Sequence, residues 1–455
     1  MNGASLVSRA RHRWDQLSSS YWFVPTVMMV GAGTLALGMV WADLKVVGEP
    51  SDTTIWLYTG GAQGARSMLS IVAGSVITVA GVGFSITIVT LTQASSQFGP
   101  RLLRTFMRDR GNQVVLGTWV GTFIYGVLVL RTVRGGDDGA FVPHASVSVA
   151  VLLAMASVGA LVYFIDHVSF TLQAPQLVAA VSRDLDAAIR RVFPAPSPGA
   201  EARGTEQGQP LVEPPREARP ISSTDSGYLQ AIDAKTVMHL AEAHDLTLYI
   251  AFRPGDFVHA GDPLLRAAPP GRVDDDVERS LQGAFFLGAH ATDQHNPEFP
   301  INQLVEVAVR ALSPGINDPF TAIHCIDWLG ASIARLAGRE QPSPLLRDAH
   351  GVVRVVARTY SFRSAVDAAF DQIRQHPRAS LAVSLRLLDV LGDLGAGLRT
   401  EQQREAVRRQ VRLTYEGAHP TIDVRDDRED LERRFRRAMA RLENPRPMVG
   451  QEADS

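Results

Sequence analysis

SMLSIVAGSVITVAGVGFSITIVTLTQASSQFGP, from Ser67 to Pro100, contains no ionisable side chain. An α-helix rises about 1.5 Å per residue, so roughly 20 residues cross the ~30 Å hydrocarbon core of a bilayer. This run is longer than one crossing needs, and more polar. Ser70, Ser75, Thr78, Ser85, Thr87, Thr90, Thr92, Gln93, Ser95, Ser96 and Gln97 are threaded through it. Lipid tails offer neither donors nor acceptors, so such groups need a protein partner or water. The sequence predicts a membrane-embedded helix that does not face lipid on every side.

Within that run Ser70, Gly74, Thr78, Gly81, Ser85, Thr92 and Ser96 recur at steps of three, four or seven, which places them on one helix face. Small-residue faces serve close helix packing; hydroxyl-lined faces can also border a hydrated path. Gly117 and Gly121, flanked by Thr118 and Thr122 in a later run, offer a matching smooth surface. The cluster from Thr90 to Gln97 narrows the choice, because packing alone rarely wants so many hydrogen-bonding groups together. The candidate pore or polar membrane face is therefore Thr78, Ser85, Thr90, Thr92, Gln93, Ser96 and Gln97.

Three further uncharged runs, Trp22–Ala42, Gln113–Leu130 and Phe141–Ile165, approach spanning length. The first exceeds a signal-peptide core and no mature soluble domain follows it, so it reads as a retained helix. Lys and Arg near helix ends stay cytoplasmic. Arg9, Arg11 and Arg13 precede the first helix, and Arg101, Arg104, Arg108 and Arg110 follow the second. Four crossings with both termini inside satisfy that bias. Tyr21, Trp22 and Trp41 sit where interfacial aromatics belong. The net charge of −2 gives no reason to expect nucleic acid as a partner. A single cysteine, Cys325, rules out an intramolecular disulfide framework.

Beyond the membrane, Gln173 to Phe193 reads as an amphipathic exit helix with Leu177, Val181, Leu185, Ile189 and Val192 on one stripe. Pro194 to Pro220 is rich in Pro, Gly and charge and reads as a linker. GYLQAID and LTLYIAF are strand-like, and RPGDFVHAGDPLLRA carries turn signals around Phe257-Val258. That segment is similar to the tight turns of biotinyl/lipoyl-type modules, but Arg266-Ala267-Ala268-Pro269 offers no lysine to modify. From Val273 the pattern is helical, with segments expected at about 277–290, 300–312, 319–337, 345–373, 378–397, 401–415 and 426–442. The expected domains are residues 1–193 (membrane helices and exit helix), 194–221 (linker), 222–272 (β module), 273–443 (helical domain) and 444–455 (disordered tail).

In the soluble part the sharpest string is ALSPGINDPFTA, Ala311 to Ala322. Asn317 or Asp318 can cap the next helix, with Pro319 in its first turn where a missing N–H costs nothing. The same polar bend, Asn317 and Asp318, is the candidate ligand site of this region. His290, His295 and His324 with Asp293 and Cys325 match no closed zinc spacing, and no phosphate loop or nucleophile elbow occurs. The expectation is no enzyme, no metal and no cofactor. Asp166-His167, at the end of the fourth run, reads as an interfacial anchor.

Three strings carry a family resemblance: SQFGPRLLRTFMRDRGNQVVLGTWVGTFIYGVLVLRTV (Ser96–Val133), YFIDH (Tyr163–His167) and QLVEVAVRALSPGINDPFTA (Gln303–Ala322). The chain resembles the bacterial membrane proteins grouped as domain of unknown function 2254. Asp166 stands where a second histidine is expected in such a string, which weakens a metal or proton-relay role there. The resemblance implies an integral inner-membrane protein with a cytoplasmic C-terminal region, and no reaction. The fold expected is thus an α-helical multipass membrane protein (four transmembrane helices) with a cytoplasmic small β module and an all-α C-terminal domain. Its partners are the lipid bilayer and further copies of itself. The function expected is an oligomeric channel or transport-type protein with a cytoplasmic vestibule or gate, loosely like small-conductance mechanosensitive channels in the order of its parts. The alternative is a non-conducting scaffold or sensor whose cytoplasmic domain binds a protein partner.

Overall fold

A computed structural model describes residues 21–45, 58–98, 109–135, 141–171, 174–196, 213–291, 296–376 and 380–443, with side chains left out at 94–98 and 169–171. The chain divides into two compact units, with the boundary between Gln176 and Leu177. In the first unit lie α1 (Phe23–Lys45), α2 (Ala62–Phe98), α3 (Arg110–Thr132) and α4 (His144–Thr171). These four helices are long and apolar enough to cross a bilayer, by length and composition. The four apolar runs read in the sequence are these four helices.

α3 is the central helix and packs on α1, α2 and α4. Its sequence explains this place: Gly117, Gly121 and Gly126 thin it on two sides, and Trp119 and Tyr125 fill what remains. Gly117 and Gly121 lie against Met28 and Ala32 of α1: a Cβ at Gly117 would collide with the Met28 side chain, and one at Gly121 would press on Ala32. The smooth surface expected to match the polar run is therefore taken up by the first helix instead. Gly126 meets Ala73 of α2. At the far end Asp43 of α1 caps the start of α4, accepting from the backbone of Ala145 (3.1 Å) and Ser146 (2.9 Å) and from the Ser146 hydroxyl (2.6 Å).

The second unit begins within α5 (Ala174–Val192), the expected amphipathic exit helix. Its buried stripe of Val178, Val181, Leu185 and Ile189 alternates with charge, and Asp186 pairs with Arg335 at 2.8 Å. Next come β1 (Arg219–Ser222), β2 (Gly227–Ile232), α6 (Ala234–Ala243), β3 (Thr247–Ile250), β4 (Phe257–Val258), β5 (Pro263–Ala268), α7 (Asp275–Gln282) and β6 (Phe285–Gly288). The remainder is α8 (Glu298–Ala311), α9 (Pro319–Ala337), β7 (Leu345–Arg347), β8 (Val353–Ala357), α10 (Phe362–Gln375), α11 (Leu381–Asp393), α12 (Glu401–Ala418) and α13 (Arg425–Glu443).

Two sheets result, one in the order β1-β5-β3-β8-β7 and one in the order β4-β2-β6. β3 pairs antiparallel with β5 and parallel with β8. This corrects the expectation of an all-α C-terminal domain, because β6, β7 and β8 lie inside the stretch read as helical. The helix expected over 345–373 is a β-hairpin followed by a shorter helix. Asp348 and Gly351 form its turn, with Gly351 at φ +81°, a conformation that favours glycine. VVRVVA then continues as a strand because its β-branched residues suit a half-buried pleat. One core joins the sheets to α6 and α7 through Ile221, Leu229, Leu248, Leu265, Leu281 and Val355. Most of the linker, at 197–212, and the expected tail, at 444–455, lie outside the described residues.

Candidate functional site

α2 has two unlike faces. Its seam with the bundle is Ala65, Leu69, Ala73, Val76, Ala80, Gly83, Thr87 and Thr90, buried at steps of three and four. Small side chains let α3 come close, and a Cβ on Gly83 would strike the Trp119 ring. Trp119 is 1% exposed, donates its Nε1–H to the Ser157 carbonyl (3.1 Å), and meets Phe164 edge-on at 5.4 Å.

The opposite face carries Ser70, Gly74, Thr78, Gly81, Ser85 and Thr92, all exposed. At about 100° per residue it lies roughly half a turn away from the seam. A Cβ added at Gly74 or Gly81 would touch nothing. The hydroxyls of Thr78, Ser85 and Thr92 donate to the carbonyls of Gly74 (2.8 Å), Gly81 (3.0 Å) and Ile88 (2.9 Å) in their own helix. Back-bonding of this kind satisfies each hydroxyl proton locally and leaves oxygen lone pairs outward. Of the predicted residues, Thr78, Ser85 and Thr92 share this face and Gln93 is exposed beside it. Thr90 is buried in the seam. Ser96 and Gln97 have side chains outside the described residues.

A second polar group, not singled out from sequence as a unit, gathers at the N-terminal end of α3. Asp109 is the cap: one carboxylate oxygen accepts from the Gly111 amide (3.0 Å) and the other meets His167 Nε2 at 2.5 Å. The imidazole stacks on Tyr163, with ring centroids 5.1 Å apart. Gly111 permits this approach of α4, since a Cβ there would lie 2.7 Å from the Tyr163 hydroxyl and 3.0 Å from His167 Nε2. Asp166 is exposed and His167 is the inward member. The two residues read together as an anchor thus have different surroundings.

One turn along, Asn112 is 2% exposed, and among the described residues neither its Oδ1 nor its Nδ2 has a hydrogen-bond partner. Leaving a buried amide unpaired costs about 1–3 kcal/mol. α2 and α3 run in opposite directions, with Gly83 level with Trp119 and Ala73 level with Gly126. Two helical turns from Gly83 therefore bring Thr90 level with Asn112. Thr87, also buried, donates to the Gly83 carbonyl (2.8 Å) and is hydrogen-bonded to Tyr21. The sequence signal was Gly111-Asn112-Gln113 at the head of an apolar run. It reads as an interfacial polar edge, whereas Asn112 and Gln113 are both buried.

The polar bend of the soluble unit is a helix cap. Asp318 accepts from the Thr321 amide (3.1 Å) and the Thr321 hydroxyl (2.6 Å), and Asn317 takes the left-handed conformation at φ +50°. Burial pushes the Asp318 carboxyl up, but the bonds from Thr321 and its neighbours hold it below its usual range. Both carboxylate oxygens are thus spent within the turn. Beside it Phe320 is 76% exposed. No group of three or more His, Cys, Asp or Glu side chains gathers among the described residues. Asp293 and His295 fall outside them. Cys325 is buried, and burial pushes its thiol well up from the usual range.

A family model described as "Predicted membrane protein (DUF2254)" matches residues 18–393. The chain is also similar to the uncharacterized protein Rv1290c of Mycobacterium tuberculosis (strain H37Rv), 31% identical over 436 residues that make up 94% of this chain and 82% of the relative. The uncharacterized protein Mb1321c of Mycobacterium bovis shows the same identity and coverage. No solved structure matches the chain.

Proposed function

We propose, from the premise that the chain belongs to the DUF2254 family of predicted membrane proteins, that it self-associates in the inner membrane and borders a polar path with α2. The observation that carries this reading is the outward face of α2. Ser70, Gly74, Thr78, Gly81, Ser85 and Thr92 lie opposite the seam and are exposed, and a Cβ on Gly74 or Gly81 would meet nothing among the described residues. Flanking positions are filled by Ile71, Ile77, Val82, Phe84, Ile88 and Val89, which suit lipid or a neighbouring helix. A smooth hydroxylated stripe between apolar flanks fits a ring of copies whose α2 helices face a common axis. The arginines at 9, 11 and 13 and at 101, 104 and 108 support four crossings with both termini in the cytoplasm.

Flux and cross-linking together test the reading. Purified protein in liposomes should pass small ions, and Thr78→Leu with Ser85→Leu should cut that flux. Cys325 is buried, so Ser85→Cys should add the reactive thiol that cross-links copies through α2. A protein that stays monomeric in nanodiscs and passes nothing would remove the proposal.

A further inference from the structure

We propose that the α2–α3 seam parts at Asn112 to admit water, so that this end of the bundle alternates between the closed seam seen here and a hydrated one. The proposal deepens the reading of α2 as the border of a polar path, for which the parted seam is the gate, and rests on it for that consequence alone.

Asn112 needs both a donor and an acceptor, because its carbonyl oxygen and its NH2 are each sealed and unpaired. A cation would satisfy only the oxygen. It would also sit at the positive end of α3, beside an Asp109 whose oxygens are already engaged by Gly111 and His167. An anion would satisfy only the nitrogen and would face that carboxylate. Water both donates and accepts, and serves both atoms. Since neither atom is accessible, water reaches them only if the helices separate locally.

The seam is built to separate at this end. Its far end is closed by Ala65 and Leu69 with Tyr125 and Val129, which belong to one apolar cluster, and by Ala73 against Gly126. At the level of Asn112 the buried residues of α2 are Thr87 and Thr90. Parting there exposes hydroxyls and an amide, which gain water, together with the apolar surface of Val115 and Leu116 on α3. The tight fit of Trp119 on Gly83 lies between the two ends and supplies the pivot.

Hydrogen exchange of the full-length protein in nanodiscs tests this without relying on flux. Wild-type amides over 84–93 and 111–116 should exchange roughly tenfold faster than those over 65–73. Asn112→Leu, of similar size and with nothing to satisfy, should slow the first two stretches about tenfold and raise the unfolding midpoint by about 2–4 °C. Asn112→Ala should slow them as well, which guards against a Leu variant that packs badly. Unchanged exchange in both variants, or a lowered midpoint in both, would overturn the proposal, because the amide would then have a partner that the closed seam needs. Altered exchange without flux in liposomes leaves the parting standing and removes the channel. Flux with unaltered exchange does the reverse.

Discussion

Toward its C-terminal end α3 pairs its polar side chains across the bundle, while toward its N-terminal end it leaves one unpaired. Tyr125 donates to the Ser146 carbonyl (3.0 Å), Ser157 of α4 donates to Thr122 (3.1 Å), and Asp43 closes the start of α4. Two turns beyond Trp119 in the other direction, Asn112 is as deeply buried and has no partner. The same helix thus has a locked end and, on the side facing α2, a loose one, while Asp109 holds that end to His167 of α4. Inside a bilayer the difference is costly, so the loose end points to motion and the locked end to anchorage.

Four substitutions break or sharpen that contrast. Trp119→Ala removes the divider between the ends and should cost about 3–5 kcal/mol, read as a large fall in the unfolding midpoint in detergent. Asp43→Ala unties three hydrogen bonds at the locked end and should cost about 2 kcal/mol, with exchange of the first turn of α4 rising in step. Ser157→Ala, which removes the neutral bond to Thr122 and the one to the Leu153 carbonyl of its own helix, should cost about 1 kcal/mol. If it proves as costless as Asn112→Ala, the two ends do not differ as described. Thr78→Val should change stability by less than about 0.5 kcal/mol, because its hydroxyl is satisfied within its own turn.

In the second unit a paired cluster around Arg354 supplies a reference with a pH dependence. Arg354 meets Asp348 at 2.8 Å and Asp245 at 2.6 Å. The Arg354 bond holds the Asp348 carboxyl below its usual range, and Arg354 followed by Arg272 does so for Asp245. Both folded values are depressed, so the stability they contribute is present above the ordinary carboxylate pKa of about 3.9 and is lost as pH falls through the depressed values. The unfolding midpoint should drop on acidification below about pH 4, and Asp348→Asn should flatten that limb.

Legibility in the sequence followed locality. The four apolar helices and the exit helix were readable because length and a period near 3.6 suffice for them. The polar stripe of α2 was readable as a stripe, but not its direction. Ala65, Ala73, Ala80 and Gly83 on the seam are as small as Ser70, Gly74 and Gly81 on the outer face. Which small face meets α3 is decided by where Trp119 projects, and that is a tertiary fact. Asn112 stands one residue outside the run read as Gln113–Leu130, and its burial is likewise a tertiary fact. β8 was missed because five residues, VRVVA, inside a stretch read as helical, acquire their strand character from pairing with β3.

That pairing also fixes an order of events during synthesis. β1, β2, β3 and β5 leave the ribosome early, yet β3 has one open edge until Val353–Ala357 emerges, after α8 and α9 have already been made. For that interval the nascent chain presents an unpaired sheet edge. A message truncated anywhere between β5 and β8 would yield a product with that edge permanently bare. Its expected fate is capture by chaperones or proteases at the membrane, not release as a small stable β module.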